Sequence, residues 1–135
     1  MRLVLSLFAL SVVAFSAPDF TGSWKVNVAK SNFGAMPSPD KYTRVIEHKE
    51  PTVKIEESQS SERGEWTGII NLKTDGTETS SEIRGNALKS VSRWDGEVLS
   101  IKSKLDFNGN LIELNDRLSI SADKQTLTLQ RKVDT

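Results

Sequence analysis

The stretch EVLSIKSKLDFNGNLIELNDRLSI, residues 97–120, indicates two strands joined by a tight turn. Apolar side chains occupy alternate positions on both sides of Asn108 and Gly109. Alternation with a period of two is typical of strands with one buried face, and Asn-Gly tolerates the positive φ angles of a two-residue hairpin turn. The apolar residues in phase are Leu99, Ile101, Leu105 and Phe107 before the turn, and Ile112, Leu114, Leu118 and Ile120 after it.

The same pattern extends in both directions along the chain, in short runs separated by turn residues. No run after residue 17 carries apolar residues at helical spacing over three turns. The sequence therefore predicts an all-β fold, an antiparallel up-and-down meander of about nine strands. Three further tight hairpins are predicted at Asp75-Gly76, Gly85-Asn86 and Asp95-Gly96. The predicted strands are 22–28, 42–49, 52–59, 65–73, 77–84, 87–94, 97–107, 111–120 and 126–133.

A meander of this length has one apolar face that must be covered. It can fold over into a sandwich, or it can close into a barrel, which also removes the edges of the sheet. Barrels of about eight strands have interiors wide enough for side chains or for one small ligand. We expect a closed or nearly closed barrel.

The first residues predict export from the cytoplasm. Arg2 supplies a positive start, residues 3–15 are apolar apart from two serines, and Ala14 and Ser16 suit a signal-peptidase site. The apolar run is too short to span a bilayer. We expect residues 1–16 to be a signal peptide and residues 17–135 to be one domain, secreted or periplasmic, with no integral membrane segment after cleavage.

Composition excludes several classes of function. The chain has 18 basic and 18 acidic residues without a basic run, so nothing favours binding to nucleic acid. It has no cysteine, which excludes disulfides, thiol enzymes and thiolate metal sites. The only histidine, His48, has no second histidine or cysteine to share a metal with, and we predict neither a metal nor a cofactor.

The start of the predicted domain carries a family resemblance. Phe20-x-Gly22-x-Trp24, followed by an irregular segment and a hairpin meander, resembles the first strand and layout of lipocalins and fatty-acid-binding proteins, the calycin barrels. The whole chain is similar to short secreted bacterial lipocalin-like proteins. The resemblance implies a structural barrel floor, with Trp24 pointing inward beside Gly22 and a basic residue of the last strand, here Arg131, stacked across the indole.

One wall of the predicted barrel is lined by small or polar side chains. Between Leu72 and Leu88 the only large apolar residue is Ile83, and small side chains facing inward leave volume that a core does not fill. Such a wall favours a cavity, although the same hairpin could instead project into solvent, and tryptophans in phase with an apolar face are often simply core. The predicted ligand-binding residues are Trp66, Gly68, Arg84, Ser90, Ser92, Trp94, Asp116 and Arg131.

Asp116 breaks the apolar phase of its strand between Leu114 and Leu118. A buried carboxylate requires a partner, and strand order makes Arg131 the nearest guess; alternatively, a β-bulge could turn Asp116 outward. An ion pair between the two is first a structural feature and second a ligand-binding one.

Three functions are compatible with these features. The first is an exported, non-catalytic barrel that binds a small amphipathic or hydrophobic molecule. The second is a protein-interaction or envelope assembly module with a solid core, able to self-associate through an unpaired strand. The third is a small barrel isomerase or cyclase that uses His48 or Asp116.

Overall fold

The described part of the computed structural model comprises residues 18–27, 30–32, 40–62 and 64–134. These residues form nine antiparallel strands in one sheet, in which each strand pairs with the next along the chain. The predicted signal peptide, residues 1–16, lies outside the described residues. The strands are β1 (Gly22–Lys25), β2 (Lys41–Lys49), β3 (Thr52–Ser61), β4 (Gly64–Lys73), β5 (Thr79–Ile83), β6 (Asn86–Asp95), β7 (Val98–Phe107), β8 (Asn110–Ile120) and β9 (Leu127–Asp134).

The sheet curves into a nearly closed barrel, which confirms the predicted fold class. Sheet pairing runs continuously from β1 to β9, and no pairing joins β1 directly to β9 within the described residues. The β2–β3 turn lies at one end of the barrel, here called the floor. The β7–β8 turn lies at the opposite end, here called the mouth.

The hairpin between β7 and β8 has the predicted geometry. Asn108 and Gly109 both adopt positive φ, at 53° and 86°, and the strands on either side pair without interruption. The side chain of Asp106 accepts a hydrogen bond from the backbone N–H of Gly109 at 3.0 Å, which closes the turn. Local sequence is therefore sufficient to set this register.

The prediction of a tight hairpin turn at Asp75-Gly76 is wrong. β4 ends at Lys73 and β5 begins only at Thr79, so the connection is a longer loop. Asp75 pairs with Arg93 of β6 in an isolated bridge, and the Gly76 N–H donates to the Ser92 carbonyl at 2.9 Å. The loop therefore docks on β6 and not on its own hairpin partner, and a single residue pair joins β4 to β5.

The core lies inside the barrel and consists of one apolar cluster. Partly buried side chains pack against it, Trp24 and Trp94 among them. Among the described residues, no helix is long and apolar enough to cross a membrane. The buried residues of the apolar cluster inside the barrel are Phe20, Ile46, Val53, Ile55, Ile70, Leu72, Leu88, Leu99, Ile101, Leu114 and Leu118.

Candidate functional site

The interior of the barrel is divided by burial into two halves. Most inward-facing side chains near the floor are buried, whereas most of those near the mouth are only half-buried and contact solvent. The buried set includes Ile46, His48, Val53, Ile55, Leu72, Ser92, Leu99 and Leu118. The half-buried set includes Tyr42, Gln59, Trp66, Gly68, Ile83, Leu105 and Ile112.

Four charged side chains lie together between these halves, three of them buried and the fourth, Arg131, exposed on the edge strand β9. Arg44 of β2 and Glu57 of β3 are direct cross-strand partners, and so are Asp116 of β8 and Arg131 of β9. Arg44, Glu57 and Asp116 are buried, at 6%, 3% and 7% exposure. The charges of Asp116 and Arg131 act on both Arg44 and Glu57, so the four groups share one electrostatic environment. We call them the charge cluster.

Asp116 and Arg131 form the predicted ion pair. The Nε and Nη2 atoms of Arg131 donate to the two carboxylate oxygens of Asp116, each at 2.9 Å. Pairing between β8 and β9 is continuous through Asn115 and Asp116, so the alternative bulge is absent there. Although burial lowers the pKa of Arg131, the bond and charge of Asp116 outweigh it and raise that pKa. The pair is thus held in a two-bond geometry that strengthens charge-assisted contacts.

Arg44 is held far less well. Its Nη2 lies 3.5 Å from Glu57 Oε1, and its Nε donates to the Tyr42 hydroxyl at 3.3 Å. Burial, with the like charge of Arg131 adding to it, lowers the pKa of Arg44 to about 10. A guanidinium with long contacts in a desolvated place gains more from an additional anion than one already bound in two bonds.

Glu57 is the carboxylate of the charge cluster that has no short bond to a guanidinium. Burial is the main cause that raises its pKa above the ordinary value of 4.5, and the charge of Arg131 offsets only part of this effect. Its cross-strand neighbour on β4 is Gly68, which offers no side-chain partner.

The mouth brings together three residues of the predicted ligand-binding set. The Trp66 ring covers Gly68 so closely that a Cβ built there would lie 3.0 Å from Cζ2 of the indole. The Arg84 guanidinium lies 5.1 Å from the Trp66 ring centre, in cation–π contact. The space in front of Gly68 is therefore filled by Trp66, and Trp66 with Arg84 forms one edge of the mouth.

Other members of the predicted set lie elsewhere. Ser90 and Ser92 are each 1% exposed, and Ser90 shares a hydrogen bond of 2.8 Å with Ser103. The Ser92 hydroxyl is buried without a hydrogen-bond partner. Trp94 belongs to the floor. The structure thus places Asp116 and Arg131 together in the charge cluster. Ser90, Ser92 and Trp94 lie apart from them, on β6.

At the floor, the ring with no exposed surface belongs to Phe20 and not to Trp24. Phe20 is 0% exposed and stacks on His48, with ring centroids 5.4 Å apart, and lies 5.7 Å from Trp94. Trp24 is half-buried and donates its indole N–H to the Phe20 carbonyl at 2.9 Å. Cation–π contacts among the described residues involve Arg44 and Arg84, whereas Arg131 contacts Asp116.

Glu50 ties the floor together from outside. Its Oε1 lies 2.6 Å from Nε2 of His48, while Oε2 accepts from the Thr74 hydroxyl at 2.8 Å and from the Trp94 indole at 3.3 Å. Burial raises the pKa of Glu50, but the hydrogen bonds of these three partners outweigh burial, and the net direction is down.

The floor does not offer free catalytic groups. Nδ1 of His48 accepts the backbone N–H of Phe20 at 3.1 Å, which places the remaining ring proton on Nε2, toward Glu50. With both nitrogens engaged and the side chain 2% exposed, His48 acts as a structural residue here. Within the described ranges, His, Cys, Asp and Glu side chains do not group in threes as metal ligands would.

We expect the free energy of unfolding to fall as the pH drops through the folded-state pKa of Glu50. That pKa is below its ordinary value of 4.5, so the carboxylate stabilises the fold above pH 4.5 and loses this contribution at lower pH. Urea unfolding between about pH 3 and about pH 6 should show a weaker acid dependence for Glu50→Gln than for the wild type. Glu47→Gln, on the outer face of β2, should keep the wild-type slope; equal slopes in both variants would contradict the role given to Glu50.

Arg44 and Glu57 were not singled out from the sequence, although the signal was present. Arg44 precedes Ile46 by two positions and Glu57 follows Ile55 by two, so each interrupts an inward apolar phase as Asp116 does. A charge in the inward phase of a strand predicts either a buried partner or a ligand.

No protein-family model matches this chain, and a search of curated proteins finds no relative.

Proposed function

We propose that this protein is a lipocalin-like barrel that binds a small amphipathic molecule bearing an acidic group. The single observation that carries the proposal is Arg44, a buried guanidinium whose nearest carboxylate oxygen lies 3.5 Å away. An anionic headgroup reaching this depth would give Arg44 the short, charge-assisted bonds that Glu57 does not supply.

The mouth half of the interior suits the apolar part of such a ligand. Trp66, Ile83 and Leu105 face inward and are half-buried, which leaves apolar surface available above the charge cluster. Apolar walls with a few convergent polar groups are the usual lining of a small-molecule site. The predicted signal peptide supports a secreted or periplasmic location, where such a carrier would meet its ligand outside the cytoplasm.

Decanoate and 1-decanol provide a matched pair of probes, because they share an alkyl chain and differ in charge. We expect the wild type to bind both and to prefer decanoate. Arg44→Met should weaken decanoate binding roughly 10-fold to 100-fold and leave 1-decanol binding unchanged, since a hydrogen bond to a charged group contributes about 1.5–3 kcal/mol. Isothermal titration calorimetry, with near-UV circular dichroism to check folding, measures this difference.

Lys54→Met is the control, because Lys54 is exposed on the outer face of β3 and its loss should change neither affinity. Equal losses for decanoate and 1-decanol in Arg44→Met would contradict headgroup recognition by Arg44. Failure of the wild type to bind either probe would contradict the proposed function itself.

The second candidate, an interaction module, is favoured by one observation. β9 has no strand partner on its outer side among the described residues, and unpaired backbone groups on an edge strand can pair with another chain. If the protein binds neither decanoate nor 1-decanol and its self-association increases with protein concentration, the result would favour an interaction module over ligand binding.

A further inference from the structure

The charge cluster is electrically balanced before any ligand arrives. Two guanidinium groups, Arg44 and Arg131, face two carboxylates, Glu57 and Asp116. An anion that enters beside Arg44 adds a negative charge that nothing in the cluster compensates, in a place where water screens charges poorly. Binding is therefore expected to be accompanied by neutralisation of one carboxylate.

Geometry decides which of the two carboxylates takes the proton. Asp116 is bound by Arg131 through two bonds of 2.9 Å, and protonation would forfeit one of them. Glu57 has no short bond to a guanidinium; it is held by the Gln59 side chain and by the 3.5 Å contact with Arg44, and an incoming anion would displace the Arg44 contact. Glu57 is also the more deeply buried of the two, at 3% against 7% exposure, so its ionised form receives less help from water.

We propose that Glu57 takes up one proton when an anionic ligand binds at Arg44, so that the interior accepts the anion and the proton together. This inference rests on the proposed function and adds to it a specificity-determining residue and a direction of pH dependence. Atoms balance simply, because the proton comes from solvent and adds to the Glu57 carboxylate as its contact with Arg44 is replaced by the ligand. Affinity should rise as the pH falls.

The groups that face Glu57 support this direction. Arg44 of β2 and Arg131 of β9 are the cations, Asp116 of β8 is the other anion, and Gln59 donates from its own strand. The Tyr42 phenol is bonded to Arg44. Burial already raises the pKa of Glu57 in the absence of ligand, and a second anion nearby would raise it further. Proton uptake is expected at pH values between the pKa of Glu57 in the free protein and its pKa in the ligand-bound protein.

The test uses 1-decanesulfonate, whose sulfonate stays ionised over the whole range, so that any proton taken up belongs to the protein. Calorimetric titrations in two buffers of different ionisation enthalpy, between about pH 5 and about pH 8, count the protons bound with each ligand. We expect about one proton in the linked range, and an affinity that increases about tenfold per pH unit as the pH falls there. Glu57→Gln should bind without proton uptake and with affinity independent of pH.

Glu56→Gln is the matched control, because Glu56 is adjacent on β3 but exposed on its outer face, and it should retain the wild-type proton uptake. Binding without proton uptake in the wild type would overturn this inference and leave the proposed function standing. Proton uptake that persists in Glu57→Gln would overturn it as well, by assigning the proton to another group. If 1-decanesulfonate, decanoate and 1-decanol all fail to bind, both the inference and the proposed function are wrong.

Discussion

Phe20→Ala should lower the free energy of unfolding by about 3–5 kcal/mol, one of the two largest effects expected of a single substitution in this protein. Phe20 is 0% exposed. Its ring stacks on His48, and its centroid lies 5.7 Å from that of the Trp94 ring. Truncation removes the transfer free energy of the ring and leaves a cavity that the surrounding strands can fill only in part. The hydrogen bond from the Phe20 N–H to Nδ1 of His48 is made by the backbone, which alanine retains, so it is not part of this loss.

Urea unfolding followed by tryptophan fluorescence and far-UV circular dichroism measures this loss. Phe107→Ala is the control, because Phe107 lies at the mouth with 45% of its surface exposed and should cost less than about 1 kcal/mol. Equal losses in the two variants would contradict the account of the floor, since they would mean that Phe20 is no better packed than a phenylalanine at the rim.

The second large effect is expected from Asp116→Asn. Removing one partner of a buried ion pair leaves the other charge without compensation, at a cost of about 3–5 kcal/mol. The Arg131 side chain is 34% exposed, so solvent screens part of its charge and we expect about 2–3 kcal/mol. The like charge of Arg44, no longer balanced by Asp116, adds to this loss.

The exposed pair of Asp95 and Arg117 provides the matched control. Arg117 lies next to Asp116 on β8, and its Nη2 is 3.1 Å from Asp95 Oδ2, but the two side chains are 47% and 68% exposed. Asp95→Asn should therefore change the free energy of unfolding by less than about 1 kcal/mol. Chemical unfolding of both variants at neutral pH checks the difference. A loss from Asp116→Asn as small as that from Asp95→Asn would contradict the burial of the charge cluster.

The strands could be predicted from the sequence because their signals are local. Alternation across Asn108-Gly109 fixes which face of β7 and β8 is buried, and a shift of one residue would turn every apolar side chain outward. The pair of Asp116 and Arg131 followed from the same logic, since a charge in the inward phase needs a partner on a neighbouring strand. The tight hairpin predicted at Asp75-Gly76 is wrong because Asp75 pairs with Arg93 on β6, and a rule for hairpin turns considers only the two strands that the turn joins.

The floor could not be predicted, because its contacts join positions far apart in the sequence. Phe20 meets His48 across 28 residues, and Glu50 meets the Trp94 indole across 44. Nothing in the alternation of β2 tells that Glu50, which follows the strand, folds back to accept a bond from His48. Trp24 was expected at the floor from the resemblance of Gly22-x-Trp24 to a first strand of calycin barrels, whereas burial depends on which ring the curved sheet brings over the open end.

Closure of the barrel can be measured as the distance between the first and last strands. The chain has no cysteine, so spin labels can be placed at Ser23→Cys on β1 and Gln130→Cys on β9 without removing any native thiol. Electron–electron double resonance should give a distance of at most about 15 Å, below the diameter of a barrel of this size, because the sheet curls until its two edges approach. A distance near 38 Å, which eight strand spacings of about 4.8 Å would produce in an open sheet, would contradict the barrel and with it the buried charge cluster.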